Sequence, residues 1–370
     1  MKFNPLRFQS ALAAGGLALM PFVLMQFTFL RQGKLISLDD LSGRYDLATF
    51  FLLAVMLVST VLHFYLIAKM TRELIQWRRS GTDMRDFLAD PAINVAIFSP
   101  VVALGMTVNV ILGPVAFFFP RFSEQVPALL SYGVYPFALL FLVLGYISVA
   151  VGRTWLFRDG KAVAFNYNWL LDVFAWGMVA LAGAGVTMTA TDPQVTAIGS
   201  VLTLCAISIG LFIYGIKGMY LILAQMTHGN TPAEPLKPAH FIVVPINCLF
   251  AISIYKIAGY TKLTLGIDIT SLAFASVVIL FALSLFWILL CAMAFRDWFV
   301  HQFPKPEFYP AQWGLVCVLV GLEVLAIYSH VSYYPSLLLL GFSYLSIAVA
   351  AIIYGFVFLK FSGVIKPVSA

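Results

Sequence analysis

One carboxylate interrupts the apolar run GLVCVLVGLEVLAIYS (Gly314–Ser329), at Glu323. If a membrane span begins near Tyr309, Glu323 lies ~20 Å along it at 1.5 Å per residue, near or past the bilayer middle. A charge at that depth costs roughly 2.5–3.5 kcal/mol on insertion scales, so the group is expected to be neutral, paired or facing a polar path. It is therefore read either as a proton-coupling or pore-lining acid, or as a structural carboxyl. A bare carboxylate repels anions, so an anion path needs Glu323 neutral, paired or off that path. Lys217, also inside an apolar run, is the candidate partner. A Lys217–Glu323 ion pair would clamp two helices, whereas a free Lys217 facing a cavity would attract anions. Asp172, a few residues into another run, is placed to act at a pathway mouth. Asn109 and Asn247 carry amides that can donate to an anion or bond across helices.

The remaining chemistry-bearing residues are sparse. Haem held between helices needs two imidazoles at one depth, and of His63, His228, His240, His301 and His330 only His63 and His240 are spaced for it. There is no HExxH, GxSxG or P-loop, and no GxGxxG in a strand–helix setting, so neither a nucleotide site nor a catalytic triad is expected. Cys205, Cys248, Cys291 and Cys317 lie in apolar runs without CxxC spacing, which suggests neither a disulfide framework nor a zinc site. The reading is of a protein that is not an enzyme and has no cofactor, no metal site and no nucleic-acid partner.

The elements that position these residues follow from composition. The chain has 370 residues, 62% hydrophobic and only 10% charged, against about 25% charged in soluble domains. Runs of about 20 apolar residues are long enough to cross a bilayer as helices, and the ~10-residue alternating segments of a transmembrane barrel are absent. The fold class is thus an all-α membrane protein, a single domain over residues 1–370. Ten spans are predicted, at about 9–30, 47–68, 93–119, 127–151, 169–190, 195–226, 238–260, 269–295, 309–331 and 333–361. The N-terminal run is too long for a typical signal-peptide core and no A-x-A-like site follows, so it is read as the first span.

Short outer links such as TDPQ make consecutive spans antiparallel neighbours, giving five helical hairpins. The segment KMTRELIQWRRSGTDMRDFLADP (Lys69–Pro91) reads as a basic, partly amphipathic surface helix. With both termini on one side, that side collects Lys2, Arg7, the five basic residues of Lys69–Arg85, Arg153, Arg158, Lys161, Lys237, Arg296, Lys305, Lys360 and Lys366. The opposite side holds Arg31, Lys34, Arg44, Arg121, Lys256 and Lys262. The positive-inside bias puts both termini in the cytoplasm of a multi-pass plasma-membrane protein, a bacterial inner membrane by expectation. Pro21, Pro100 and Pro245 interrupt the first, third and seventh spans, and Pro136 the fourth. Proline removes a helix hydrogen bond and kinks the chain. In lipid the freed carbonyl needs a partner or a water-filled cavity, so kinked odd-numbered helices are expected to line a central path.

Three stretches carry a resemblance. DPAINVAIFSPVVALGM (Asp90–Met106) combines a proline-led start, an aromatic residue (Phe98) and a proline within the third span. PLKPAHFIVVPINCLFAISIY (Pro235–Tyr255) places a proline similarly in the seventh. PAQWGLVCVLVGLEVLAIYS (Pro310–Ser329) begins the ninth and is followed by a tenth span ending in FLKFSG. Together with the spacing of all ten spans, these resemble the tellurite-resistance/dicarboxylate transporter (TDT) family, which includes the plant slow-type anion channels. The resemblance covers most of the chain. It implies five odd-numbered helices around a pore, five even-numbered helices outside them, and a homotrimer with one pore per protomer. It also implies small-anion cargo: sulfite, tellurite, nitrate, halides or dicarboxylates.

The sequence departs from that family in two places. Where family members often carry a pore-plugging phenylalanine on the ninth helix, counting from Trp313 gives Cys317; Phe22, Phe98 and Phe174 are the aromatic substitutes on other odd-numbered helices. The fifth helix lacks the family's early proline and has Asp172 close by instead. The leading expectation is an anion channel or transporter, with proton coupling through Glu323 as its finer form. A haem-binding oxidoreductase subunit using His63 and His240, or a membrane assembly component without transport activity, are the alternatives.

Overall fold

Ten helices among the described residues are long and apolar enough to cross a membrane, and no strand accompanies them. The computed structural model describes residues 3–29, 35–41, 43, 46–157, 165–228 and 232–365. Lys2, Arg31, Lys34, Arg44, Arg158, Lys161 and Lys366, used above for topology, lie outside them. The spans are α1 (Pro5–Phe29), α2 (Leu47–Arg79), α3 (Asn94–Phe118), α4 (Pro120–Leu156), α5 (Tyr167–Thr189), α6 (Pro193–Thr227), α7 (Glu234–Leu265), α8 (Thr270–Ala294), α9 (Pro310–Ser332) and α10 (Leu337–Phe361). Helices are the natural outcome for these runs, because a backbone in lipid must satisfy its polar groups within its own segment.

The odd- and even-numbered spans differ in burial. The apolar windows of α1, α3, α5, α7 and α9 are 67–89% buried, and those of the even spans only 17–39%. Contacts run from α1 to α3, α3 to α5, α5 to α7 and α7 to α9, and α9 returns to α1, so the five odd spans close a ring. Outside it α2 packs on α1, α6 on α5, α8 on α7 and α10 on α9. α4 lies mainly along α5 and meets α3 less, partly through the segment Ala116–Phe118 beside the joining turn. Large exposed side chains, among them Tyr132, Tyr146, Phe212, Met219, Phe286 and Met293, cover the even spans. Those are the faces that would meet lipid.

Every odd span opens on a 3-10 turn: Pro5–Phe8, Asn94–Ile97, Tyr167–Leu170, Glu234–Ile242 and Pro310–Trp313. Proline stands in the first turn of α1, α7 and α9, where its missing N–H would have no helical partner in any case. Asn4 and Asn166 cap α1 and α5, their side chains accepting from the Leu6 and Asn168 amides at 2.9 Å. The chain ends of the bundle meet at this same face, where the Arg7 guanidinium lies 5.9 Å from the Phe361 ring centroid.

The structure corrects the sequence expectation in three places. The fourth span begins at Pro120 and not at Pro127, and both Pro127 and Pro136 lie inside it. α2 continues through most of the basic segment to Arg79 and stops at Gly81, whose φ of +70° few other residues adopt; only Thr82–Ala89 forms a separate short helix. Apolarity ends near Ala68, but Lys, Arg, Glu and Leu are good helix formers and carry the helix on into water. Pro100 and Pro245 are also not mid-helix kinks. Each is the third residue of its α-helical portion, Phe98–Val110 and Val243–Tyr260, at the junction with the 3-10 turn. Pro21 lies inside α1, and Pro114 sits in a π-helical turn, Ile111–Val115, of α3.

Candidate functional site

The starts of α1, α3, α5 and α7 border a vestibule of about 570 Å³. Asn4 from α1, Asn94's neighbours Val95 and Ala96 from α3, Asn168 and Trp169 from α5, and Leu236 from α7 line it, with Trp77, Asp86 and Phe87 from the α2 end and the short helix. Four helix N-termini thus reach one chamber. Each presents the positive end of a helix dipole, which favours negative solutes.

Two smaller cavities, of about 30 and 40 Å³, involve the inner spans. The first shares Asn168 with the vestibule and is lined by residues of α1, α5, α7 and α9, including Gln9, Ile242 and Gly314. The second is lined by all five odd spans: Leu12 and Gly16, Met106, Phe174 and Met178, Pro245, Cys248 and Leu249, and Cys317, Val320 and Gly321. Leu12, Phe174, Pro245 and Cys317 border both cavities and form a collar between them. Each cavity has room for a water or two and no more. Gly321 allows this narrowness: a Cβ there would stand 3.2 Å from the Pro245 Cα and 3.3 Å from the Val244 carbonyl oxygen.

The candidate residues divide by position. Pro245 and Cys317 line the axis, as does Phe174. Pro21, Phe98 and Pro100 are buried but border neither cavity. Phe22 packs on α3 near Gly113. Asn109 donates to the Met178 sulfur at 3.5 Å, next to the second axial cavity. Asn247 faces away: its amide donates to Ser284 Oγ of α8 and its carbonyl oxygen accepts from Tyr214 Oη of α6, both at 3.1 Å. It joins three helices and is not free for an anion.

The expected Lys217–Glu323 pair is not formed. Lys217 Nζ donates to Asp172 Oδ2 at 2.7 Å and to the Trp169 carbonyl oxygen at 2.9 Å, and lies 3.8 Å from the Trp155 and 4.4 Å from the Trp169 ring centroids. Depth alone favoured Glu323, but α5 and α6 are hairpin neighbours, and the nearer acid takes the ammonium. Asp172 is 2% exposed and so does not sit at an open mouth. Glu323 is left wholly buried, and neither carboxylate oxygen hydrogen-bonds to any described residue. It lies six residues beyond Cys317, about 120° from it around α9 at 100° per residue, so it is off the axial face.

The two histidines proposed to share a haem have their nitrogens engaged separately. His63 bridges the Ala11 carbonyl of α1 (2.7 Å) and Thr107 Oγ1 of α3 (2.9 Å). His240 meets the Gln225 side-chain nitrogen of α6 (2.8 Å) and the Lys237 carbonyl oxygen (3.2 Å). Both act as interhelical ties.

Sequence reading missed the collar as a unit, together with Leu12, Met178 and the aromatic box around Lys217. Periodicity within one helix finds an apolar face, but which of several faces meets the axis depends on the neighbours. No protein-family model matches the chain, and a search of curated proteins gives no match.

Proposed function

We propose that this protein moves small anions across a membrane along the axis of its five inner helices, as a channel or transporter of the type the TDT resemblance implies. The observation that supports this best is the alignment of vestibule, collar and second axial cavity, walled by the odd-numbered spans. N-termini of four inner helices supply positive potential at the vestibule beside the carboxylates of Asp86 and Asp90, and distributed donors of this kind stabilise an anion while leaving it free to move on. Phe174 is the obstruction. Its ring borders both cavities where the resemblance would place a ninth-helix phenylalanine opposite, and Cys317 completes the collar with a much smaller side chain.

Reconstitution into vesicles with imposed gradients of chloride, nitrate, sulfite and malate tests the reading. Flux of at least one anion is expected, and Phe174→Ala should raise it several-fold by opening the collar. Absence of flux for all four anions in both the parent and Phe174→Ala would overturn it and favour an assembly role. Proton coupling is the finer form of the proposal, and Glu323 is its candidate, since a buried carboxyl with no ionic partner has no structural bond to lose.

A further inference from the structure

One described cation, Lys256, falls by helix geometry on the outward continuation of the axial face. Lys256 is eleven residues beyond Pro245, three turns along α7, and returns to within about 20° of the same face at 3.6 residues per turn. Leu249, which borders the second cavity, lies seven residues before Lys256 and shares that face. Position for position, Val23, Gly185 and Tyr328 stand eleven residues beyond Leu12, Phe174 and Cys317. The inner helices are mostly covered, yet Val23, Gly185 and Lys256 are each partly exposed. A Cβ built on Gly185 would meet nothing within 4 Å. Three of the inner helices thus present partly open positions on the outward continuation of the face that lines the cavities. At the same level Tyr328 is buried, its ring centroid 4.7 Å from that of Phe27 and 5.1 Å from that of Tyr255. The Tyr255 hydroxyl is fixed to Ser332 Oγ at 3.0 Å.

Lys256 has no ion pair or hydrogen bond with any described residue. Among the acids near the outer end, Asp268 pairs with Lys262 at 3.0 Å, Asp46 accepts from the Thr49 amide at 2.8 Å, and Asp39 and Glu124 are exposed. Glu323 lies five residues short of Tyr328 and on another face of α9. This differs from Lys217, whose charge is spent on Asp172. A half-buried ammonium on the outward continuation of that face, without a counter-charge among the described residues, is built to hold a mobile one.

We propose that Lys256 is an anion-binding residue of the outer half of the path, taking small inorganic or carboxylate anions as they pass the collar; this rests on the transport reading above. The test uses the full-length protein in vesicles, with nitrate as the probe. Lys256→Met should lower nitrate flux at low concentration by about tenfold, as expected for losing one unit charge at close range in a partly screened site, and Lys256→Arg should restore it. Equal flux and equal concentration dependence in Lys256→Met, with a parent that conducts, would overturn this inference alone. A parent without flux would overturn the transport reading and this inference with it. Water access is measured separately. In a Cys205→Ser background, Lys256→Cys should react with an anionic thiosulfonate added from the outer side, and nitrate should slow the reaction. Failure of folded Lys256→Cys protein to react would remove Lys256 from the path.

Discussion

Asp172 and Lys217 form an ion pair that is almost fully covered, with side chains 2% and 6% exposed. Removing one member leaves the other charge buried and alone, which costs about 3–5 kcal/mol, whereas replacing both with apolar residues is often neutral. Asp172→Asn should therefore lower the thermal unfolding temperature in detergent markedly, and Asp172→Leu combined with Lys217→Met should recover most of the loss. Additive losses would show that the pair is not the unit of stability. Glu323 behaves differently because it has no partner to strand. Glu323→Gln should leave stability nearly unchanged and, if the carboxyl relays protons, flatten the pH profile of transport; an unaltered profile would assign it to packing. At the collar, Cys317→Phe should reduce flux by filling the space beside Phe174, and equal flux would mean the anion passes elsewhere.

At the scale of elements, the glycine-rich stretch Ala180–Thr187 explains how three helices approach one another. A Cβ on Gly183 would overlap the Phe137 ring of α4 and Thr203 Oγ1 of α6. Overpacking of this kind typically costs 1–3 kcal/mol, so Gly183→Ala should reduce the unfolding temperature while Gly185→Ala, which meets open space, should not. The turn before α8 depends on Asp268, which accepts from the Thr270 amide and hydroxyl at 2.9 and 2.6 Å. These bonds and Lys262 hold its carboxyl down to about 2, below the ordinary 3.8. A depressed carboxylate stabilises above its unfolded value and loses that contribution as pH falls through the folded one. Exchange protection of the Thr270 amide should accordingly persist at pH 4 and fade only near pH 2.

The spans themselves were legible in the sequence, because hydrophobic length is a direct constraint of the bilayer. Their ends were less so: α2 and α4 overrun the apolar stretch, since nothing in water stops a helix of good formers before Gly81 or Pro120. The ion pair was misassigned because depth was weighed and hairpin adjacency was not. Phe174 was visible as an aromatic on an odd-numbered helix, but its place in the collar depends on how five helices are rotated against one another. No single segment contains that information.

For the whole molecule, the homotrimer implied by family likeness remains a proposal about the even-numbered spans. Their large apolar faces could meet lipid or other protomers. A mass of three chains by native mass spectrometry of the detergent-solubilised protein is expected, and a monomer would remove that part of the proposal. The two chain ends share the vestibule face, so reporters fused to either should read the same compartment, the cytoplasm by the charge bias. Because all five inner helices begin on that face, their dipoles add instead of cancelling, and the electrical landscape along the axis is lopsided. For a conducting axis as proposed above, the consequence is rectification, unequal currents at equal and opposite voltages, with a direction set by backbone polarity even if every charged side chain along the route were removed.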